Sequence, residues 1–209
     1  MSSGIDVWCA RFPSDTDPSA PVRRRALVRE VLAGYLGIRA DEVAIADDCD
    51  GRPVVVDTDR PGWPRFSVSH AGTVVLIAVS RRAEVGVDVE DVRRDIDWQA
   101  VASAFFAPAE LAAIERRARK DRRAAFFECW VRKEAYVKAL GTGLRRPTKD
   151  FVVPLHDAGG VVHDLARAAG GASTWYVRPL AVGAGYAAAI AVDADVHVTI
   201  RYPASAGGC

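Results

Sequence analysis

The sequence predicts an α+β fold made of two similarly built halves. Both ends of the chain carry β-branched runs of strand length, the middle from Trp98 to Gly141 switches to helical spacing, and each half reads as helix followed by strands. The division falls between Arg82 and Asp97. Residues 1–90 are therefore expected to form an N-terminal α+β subdomain and residues 91–209 a C-terminal one, the pair making a single unit. The pseudo-duplication lies in the order of elements, since no repeat is visible residue by residue.

Ile5 to Trp8 reads as a strand, and the Pro, Ser and Asp content from Pro13 to Pro21 as a loop. From Val22 to Leu36, Leu27, Val31, Leu32, Tyr35 and Leu36 recur at helical spacing, and Gly37 supplies the stop. Val43 to Ala46 and Pro53 to Val56 are short strands around the turn Asp50-Gly51, followed by strands at Phe66 to Ser69, Val74 to Ser80 and Val85 to Glu90. A helix begins near Trp98, Pro108 suits the first turn of another, and Asp121 caps a long one ending at Gly141. Strands return at Phe151 to Val153, Thr174 to Val177, Tyr186 to Val192 and His197 to Tyr202, with turns at Gly170-Gly171 and Gly183 to Gly185.

Half of the 209 residues are hydrophobic, enough for a sizeable core. The net charge of +1 gives no reason to expect nucleic acid, so electrostatic preference rests on local patches: Arg23 to Arg25, and the run from Arg116 through Arg123. The chain opens without a basic segment leading into an apolar one, and no apolar run approaches the roughly 20 residues of a membrane helix. A cytoplasmic protein without a membrane partner is expected. Cys9, Cys49, Cys129 and Cys209 are scattered, form no C-x-x-C pair and read as reduced thiols.

In VGVDVED, strand alternation puts Asp88 and Glu90 on one face and Val87 and Val89 on the other. Two hard oxygen donors on one face suit magnesium, although acidic pairs also occur at ordinary solvated strand ends. In the long helix Phe127, Trp130, Glu134 and Val137 share a face, so a carboxylate sits on an apolar stripe and needs a cation or a proton. Lys138, one turn on, pairs with it either structurally or in a site. FSVSHAG places Ser69 and His70 at a strand end beside Gly72, where hydroxyl, imidazole and backbone N–H groups suit phosphate oxygens or merely satisfy a turn. Arg52 and Pro53 follow a tight turn, and Arg23 to Arg25 precede a helix; each set reads as phosphate-binding or as simply solvated.

The order of these motifs is G-R-P, F-S-V-S-H, G-V-D-V-E and W-V-R-K-E-A-Y-V-K-A-L-G-T-G-L, which resembles the Sfp-type 4'-phosphopantetheinyl transferases. The likeness extends to FFAPAE before the long helix and to GLRRP and Phe151 after it. It implies that family's two-subdomain fold, with the active site at the seam. It implies transfer of phosphopantetheine from coenzyme A to a serine of an apo acyl or peptidyl carrier protein, of the fatty acid, polyketide or nonribosomal peptide kind that serves secondary metabolism. By the same resemblance Asp88, Glu90 and Glu134 would hold magnesium, with Glu134 the base, directly or through a metal-bound water. Lys138 would contact the attacked phosphate. Lys133 lies about 100° away from Glu134 on the helix and is given a supporting role. Ser69 and His70 would contact the pyrophosphate or the 3'-phosphate, Arg52 and Pro53 would form part of the adenine and 3'-phosphate pocket, and Arg25 would hold the 3'-phosphate, with Arg24 beside it. Arg116 to Arg123, with Phe105 and Phe106, would receive the acidic carrier, and the enzyme would work as a monomer. A coenzyme A-binding protein without transferase activity and a magnesium-dependent phosphohydrolase are the competing readings.

Overall fold

Period-two alternation in the long strands sets the layers. The structure, a computed structural model, describes residues 4–14, 17–49, 51–56, 63–142, 146–164 and 174–203. Its elements are β1 (Ile5–Arg11), α1 (Ala20–Leu36), β2 (Ile45–Asp47), β3 (Pro53–Val55), β4 (Arg65–Ala71), β5 (Val74–Ser80), β6 (Val85–Asp91), α2 (Trp98–Phe105), α3 (Pro108–Glu115), α4 (Arg122–Leu140), β7 (Phe151–Val152), β8 (Gly160–Val161), β9 (His163–Asp164), β10 (Tyr176–Pro179), β11 (Tyr186–Val192) and β12 (Val198–Arg201). The fold is α+β, as expected. Of the expected turns, Gly170-Gly171 and Asp50 lie outside the described residues.

Two four-stranded sheets carry the architecture, in the orders β12-β1-β5-β4 and β6-β11-β10-β8. One face of the first sheet packs on α1, with Val75, Ile77 and Val79 meeting Leu27, Val28, Val31 and Leu32. The other face turns Ile5, Val7, Val74 and Leu76 toward Val87, Val89, Ala188 and Ile190 of the second sheet. The far face of that second sheet carries α4, whose Phe127, Tyr136 and Val137 share a core with Val177, Ala189 and Ala191. Burial on both faces explains why β5 is apolar along its whole length, from Val74 to Val79.

Strand pairing distributes the chain differently from the division at 90/91. β6, expected in the first half, is hydrogen-bonded to β11 in the second sheet, and β12, from the end of the chain, runs parallel to β1 in the first. Linear spacing along the chain contains no information about such long-range pairing. The elements also differ in extent. α1 starts earlier than expected because Pro21 fits the first helical turn; β7 falls within the strand expected at Phe151 to Val153, and β8 and β9 are too short to give an alternation signal. Asp121 does stand at the N-cap of α4, but without a side-chain capping bond. Gly141 ends α4 in the left-handed region at φ 70°, where a side chain would be strained. Cys9 corrects the expectation of four reduced thiols: it is disulfide-bonded, whereas Cys49 and Cys129 are free.

The closest approach between helix and sheet is at Gly86. A Cβ there would stand 2.0 Å from the Ala135 carbonyl oxygen and 2.4 Å from the Ala139 nitrogen. Only hydrogen fits, so α4 rests on the β6 backbone with Ala135 and Ala139 beneath it. Replacing Gly86→Ala forces helix and strand apart. It should lower stability by about 3 kcal/mol, read as a lower urea midpoint with an unchanged denaturant slope.

Candidate active site

With Val87 and Val89 facing the inter-sheet core, Gly86, Asp88 and Glu90 face α4, confirming that the two carboxylates share one side of their strand. The helix runs antiparallel to the strand and meets it in steps. Ala135 and Ala139 sit over Gly86, Lys138 over Asp88, and Trp130 over Glu90. Asp88 is 5% exposed, and its Oδ1 accepts hydrogen bonds from Lys138 Nζ at 2.7 Å and from the Ser69 hydroxyl at 2.8 Å. Lys138 Nζ also reaches Ser69 Oγ at 3.0 Å. Four residues named from sequence thus lie together: Ser69, Asp88, Glu134 and Lys138.

Glu90 is occupied otherwise. Arg94 Nη1 donates to its Oε2 at 2.8 Å, and Trp130 Nε1 to its Oε1 at 3.2 Å. Burial and the Asp88 charge still push its carboxyl above the usual range. Glu134 is displaced further, to about 7, by burial first and then by Asp88 and Glu90, with Lys138 opposing. Among the described residues no three His, Cys, Asp or Glu side chains form a ready-made metal cluster; Arg94 and Trp130 occupy acceptor positions on Glu90, and Lys138 one on Asp88. Two buried oxygens, Asp88 Oδ2 and Glu134 Oε1, have no donor. Buried acceptors among mutually repelling carboxylates fit a divalent cation, so the residues present suit the metal that the sequence implies.

The phosphate-side residues divide. His70 is exposed, and its imidazole is lowered by partial burial and by the positive charges of Arg24 and Lys138. Arg24 therefore shares His70's electrostatic neighbourhood. Arg25 points instead to β2, with Nη2 3.3 Å from Asp47 Oδ1 and 3.2 Å from the Ile45 carbonyl. Arg52 donates to the Lys138 carbonyl at 3.1 Å and pairs with Asp48 at 3.1 Å, tying the β2–β3 hairpin to the C-terminal end of α4. With Pro53, Trp63, Ser67, Lys138 and Gly141 it lines a cleft of about 560 Å³. Lys133 lies outside that site. It is 1% exposed, paired at 2.8 Å with the equally buried Glu110, and donates to the Thr148 and Phe151 carbonyls. Glu110 in turn accepts from the Ala107 and Val153 amides, so every charge in that pair is satisfied.

On the basic surface, Arg117, Arg122 and Arg123 donate to backbone carbonyls and serve the fold. Arg116, Arg119 and Lys120 are exposed, as is Phe105 at 40%, whereas Phe106 is completely buried. Sequence reading missed Ser67, Arg94 and Glu110. Each carried a spacing signal: two before Ser69 on a strand, four after Glu90, and three after the helix-opening Ala107.

The upward displacement of Glu134 has a defined pH signature. A carboxyl raised in the folded state contributes stability fully below its ordinary value near 4.5, and this is lost as pH climbs through about 7. Glu134→Gln keeps the shape without the charge. In chelator it should match the parent protein at pH 5 and exceed it at pH 8 by about 1–2 kcal/mol in this partly solvated site, a melting shift of about 2–6 °C.

Comparison with known proteins shows the family. Residues 84–191, which carry Asp88, Glu90, Glu134 and Lys138, match the 4'-phosphopantetheinyl transferase superfamily. Residues 6–82 match the model described as 4'-phosphopantetheinyl transferase, N-terminal. The 4'-phosphopantetheinyl transferase HetI of Nostoc sp. is 31% identical over 122 residues, 58% of this chain and 52% of that protein. The 4'-phosphopantetheinyl transferase Sfp of Bacillus subtilis is 26% identical over 182 residues, 87% of this chain and 77% of its own length. The chain thus spans about half the length of HetI and more of Sfp. The solved holo-acyl-carrier-protein synthase of Thermotoga maritima overlaps 52% of this chain and 61% of its own, with 23% identity and a TM-score of 0.38. More than half of the chain, including the whole stretch in which strand β6 meets helix α4, falls within one family's pattern, and the chain belongs to the 4'-phosphopantetheinyl transferase superfamily.

Proposed function

We propose that this protein moves the 4'-phosphopantetheine arm of coenzyme A onto a serine of an apo carrier protein, releasing 3',5'-ADP, with magnesium as cofactor. The observation that carries the reading is the meeting of Asp88, Glu134 and Lys138, with two buried carboxylate oxygens lacking donors, beside the cleft lined by Arg52 and Pro53. Asp88 and Glu134, joined by Glu90, would hold the magnesium ion, which when bound supplies positive charge to the pyrophosphate oxygens.

The remaining chemistry belongs to side chains of the chain itself. Ser69, His70 and Arg24 present hydroxyl, imidazole and guanidinium groups to the phosphates, and the charges of Arg24 and Lys138, which after burial lower His70, suit an anionic substrate. Lys138 Nζ, already at the seam, neutralises charge on the phosphoryl group as it is transferred. Glu134, whose carboxyl is raised to about 7, accepts the proton of the carrier serine in its ionised form. The serine oxygen then bonds to the β-phosphorus of coenzyme A while the bond to the bridging oxygen breaks, and 3',5'-ADP departs with that oxygen. Position and charge suffice, and no protein nucleophile takes part.

Incubation with magnesium, coenzyme A and an apo carrier, followed by mass measurement of the carrier, tests the reading. A phosphopantetheine increment is expected. An unmodified carrier together with intact coenzyme A points to a binding protein, and dephosphorylated coenzyme A to a phosphohydrolase. Asp88→Ala should abolish transfer in a folded protein, and Lys138→Met should reduce kcat by about 10²–10³.

The carrier's acidic helix is read as docking on Arg116, Arg119 and Lys120, exposed just before α4, and on Phe105, exposed at the end of α2 against Trp130. Arg119→Glu should then raise the KM for the carrier several-fold, by roughly 1 kcal/mol in binding, and leave the KM for coenzyme A unchanged.

A further inference from the structure

β4 and β6 run side by side as facing edges of two different sheets, and no strand ladder joins them among the described residues. An edge strand presents unpaired backbone N–H groups, and here those groups are out of water, since Val87 and Val89 are 0% and 2% exposed. Hydroxyl side chains of the neighbouring strand supply the missing acceptors. The Val87 amide donates to Ser67 Oγ at 3.1 Å and the Val89 amide to Ser69 Oγ at 3.3 Å. Two residues of spacing on β4 match two on β6, so the register repeats along the seam.

Val87 and Val89 flank Asp88. Ser69 therefore pins the peptide unit that joins Asp88 to Val89, and Ser67 the Gly86–Val87 unit one residue before Asp88. Ser69 also touches Asp88 and Lys138 directly and belongs to the site itself. The bond that the structure gives the Ser67 hydroxyl is the one to the strand backbone. The geometry points to Ser67 as a positioning residue: by fixing the β6 edge just before Asp88, it sets where that carboxylate stands, and so sets the affinity of the site for a divalent cation. This role rests on the reading of Asp88 as a metal ligand given under the proposed function.

The test uses the full chain as Ser67→Ala, Ser67→Thr and Asp88→Ala variants. It has two readouts besides activity: amide hydrogen exchange at Val87 and Val89, and titration with Mn²⁺ in the absence of coenzyme A. In Ser67→Ala the Val87 amide should exchange at least about tenfold faster while Val89 stays protected, and Mn²⁺ should bind about tenfold more weakly. Ser67→Thr retains the hydroxyl on a residue that strands favour and should restore both. An unchanged Val87 exchange rate in Ser67→Ala overturns the proposal. So does faster exchange with undiminished Mn²⁺ affinity, which reduces the bond to a purely structural one. Mn²⁺ binding lost in Asp88→Ala but intact in Ser67→Ala removes the role of Ser67 alone. Binding intact in Asp88→Ala overturns the ligand assignment and the role of Ser67 with it.

Discussion

The approach of α4 to the β6 backbone at Gly86 is the constraint on which the rest of the site depends. A helix ordinarily stands off from a sheet because side chains fill the space between. Here Ala135 and Ala139 meet a residue without a side chain, and the gap closes locally. The consequence appears one step along the strand, where Lys138 Nζ comes within 2.7 Å of Asp88. Two strand residues further on, Glu90 reaches Trp130. A polar site assembled between a helix and a strand needs such a close approach, and this chain obtains it from one glycine and two alanines.

The helix carries two lysines with opposite uses. Lys133 and Glu110 form a buried, fully hydrogen-bonded pair that links α3, α4 and the strand after them. Isolated, either charge would be strongly unfavourable there; satisfied, the pair specifies a single arrangement of the elements. Lys138 lies one turn and one residue later, partly open to solvent beside Asp88 and Ser69. Their neighbour Glu134 collects the electrostatic cost of the design, a carboxyl forced toward neutrality by burial and by two like charges. Such unfavourable placement is common where charge is held ready for chemistry.

How much of this was legible in the sequence depends on range. β5 and β11 match their expected bounds, and the shared face of Asp88 and Glu90 follows from alternation, because these are properties of neighbouring residues. The ending of α1 and α4 at Gly37 and Gly141 was legible for the same reason. Ser69, Glu134 and Lys138 could be named as candidates by local pattern and resemblance, and the structure brings them together with Asp88. What remained illegible depends on contacts distant along the chain. The 48 positions from Gly86 to Glu134 give no hint that helix and strand will touch. Likewise, nothing near Arg25 announces that Asp47 and Ile45 will engage its guanidinium. Phe106 looked like a surface anchor beside Phe105, but the backbone turns it into the aromatic core of Phe126 and Trp130.

The parallel pairing of β12 with β1 has a consequence for how the molecule comes into being. Ile5 is matched with Val198, so a central strand of the first sheet must wait for the last described strand before both its edges are paired. β6 waits in the same way for β11. Divided at 90/91, neither half holds every strand of its sheet, and the strand that carries Asp88 is paired only when Ala189 reaches it. Such a topology folds slowly and leaves strand edges open in the interval. Of the two stretches that comparison separates near residue 83, the first completes its sheet only with β12, which lies beyond the second, whereas Asp88, Glu90 and Glu134 all lie within the second.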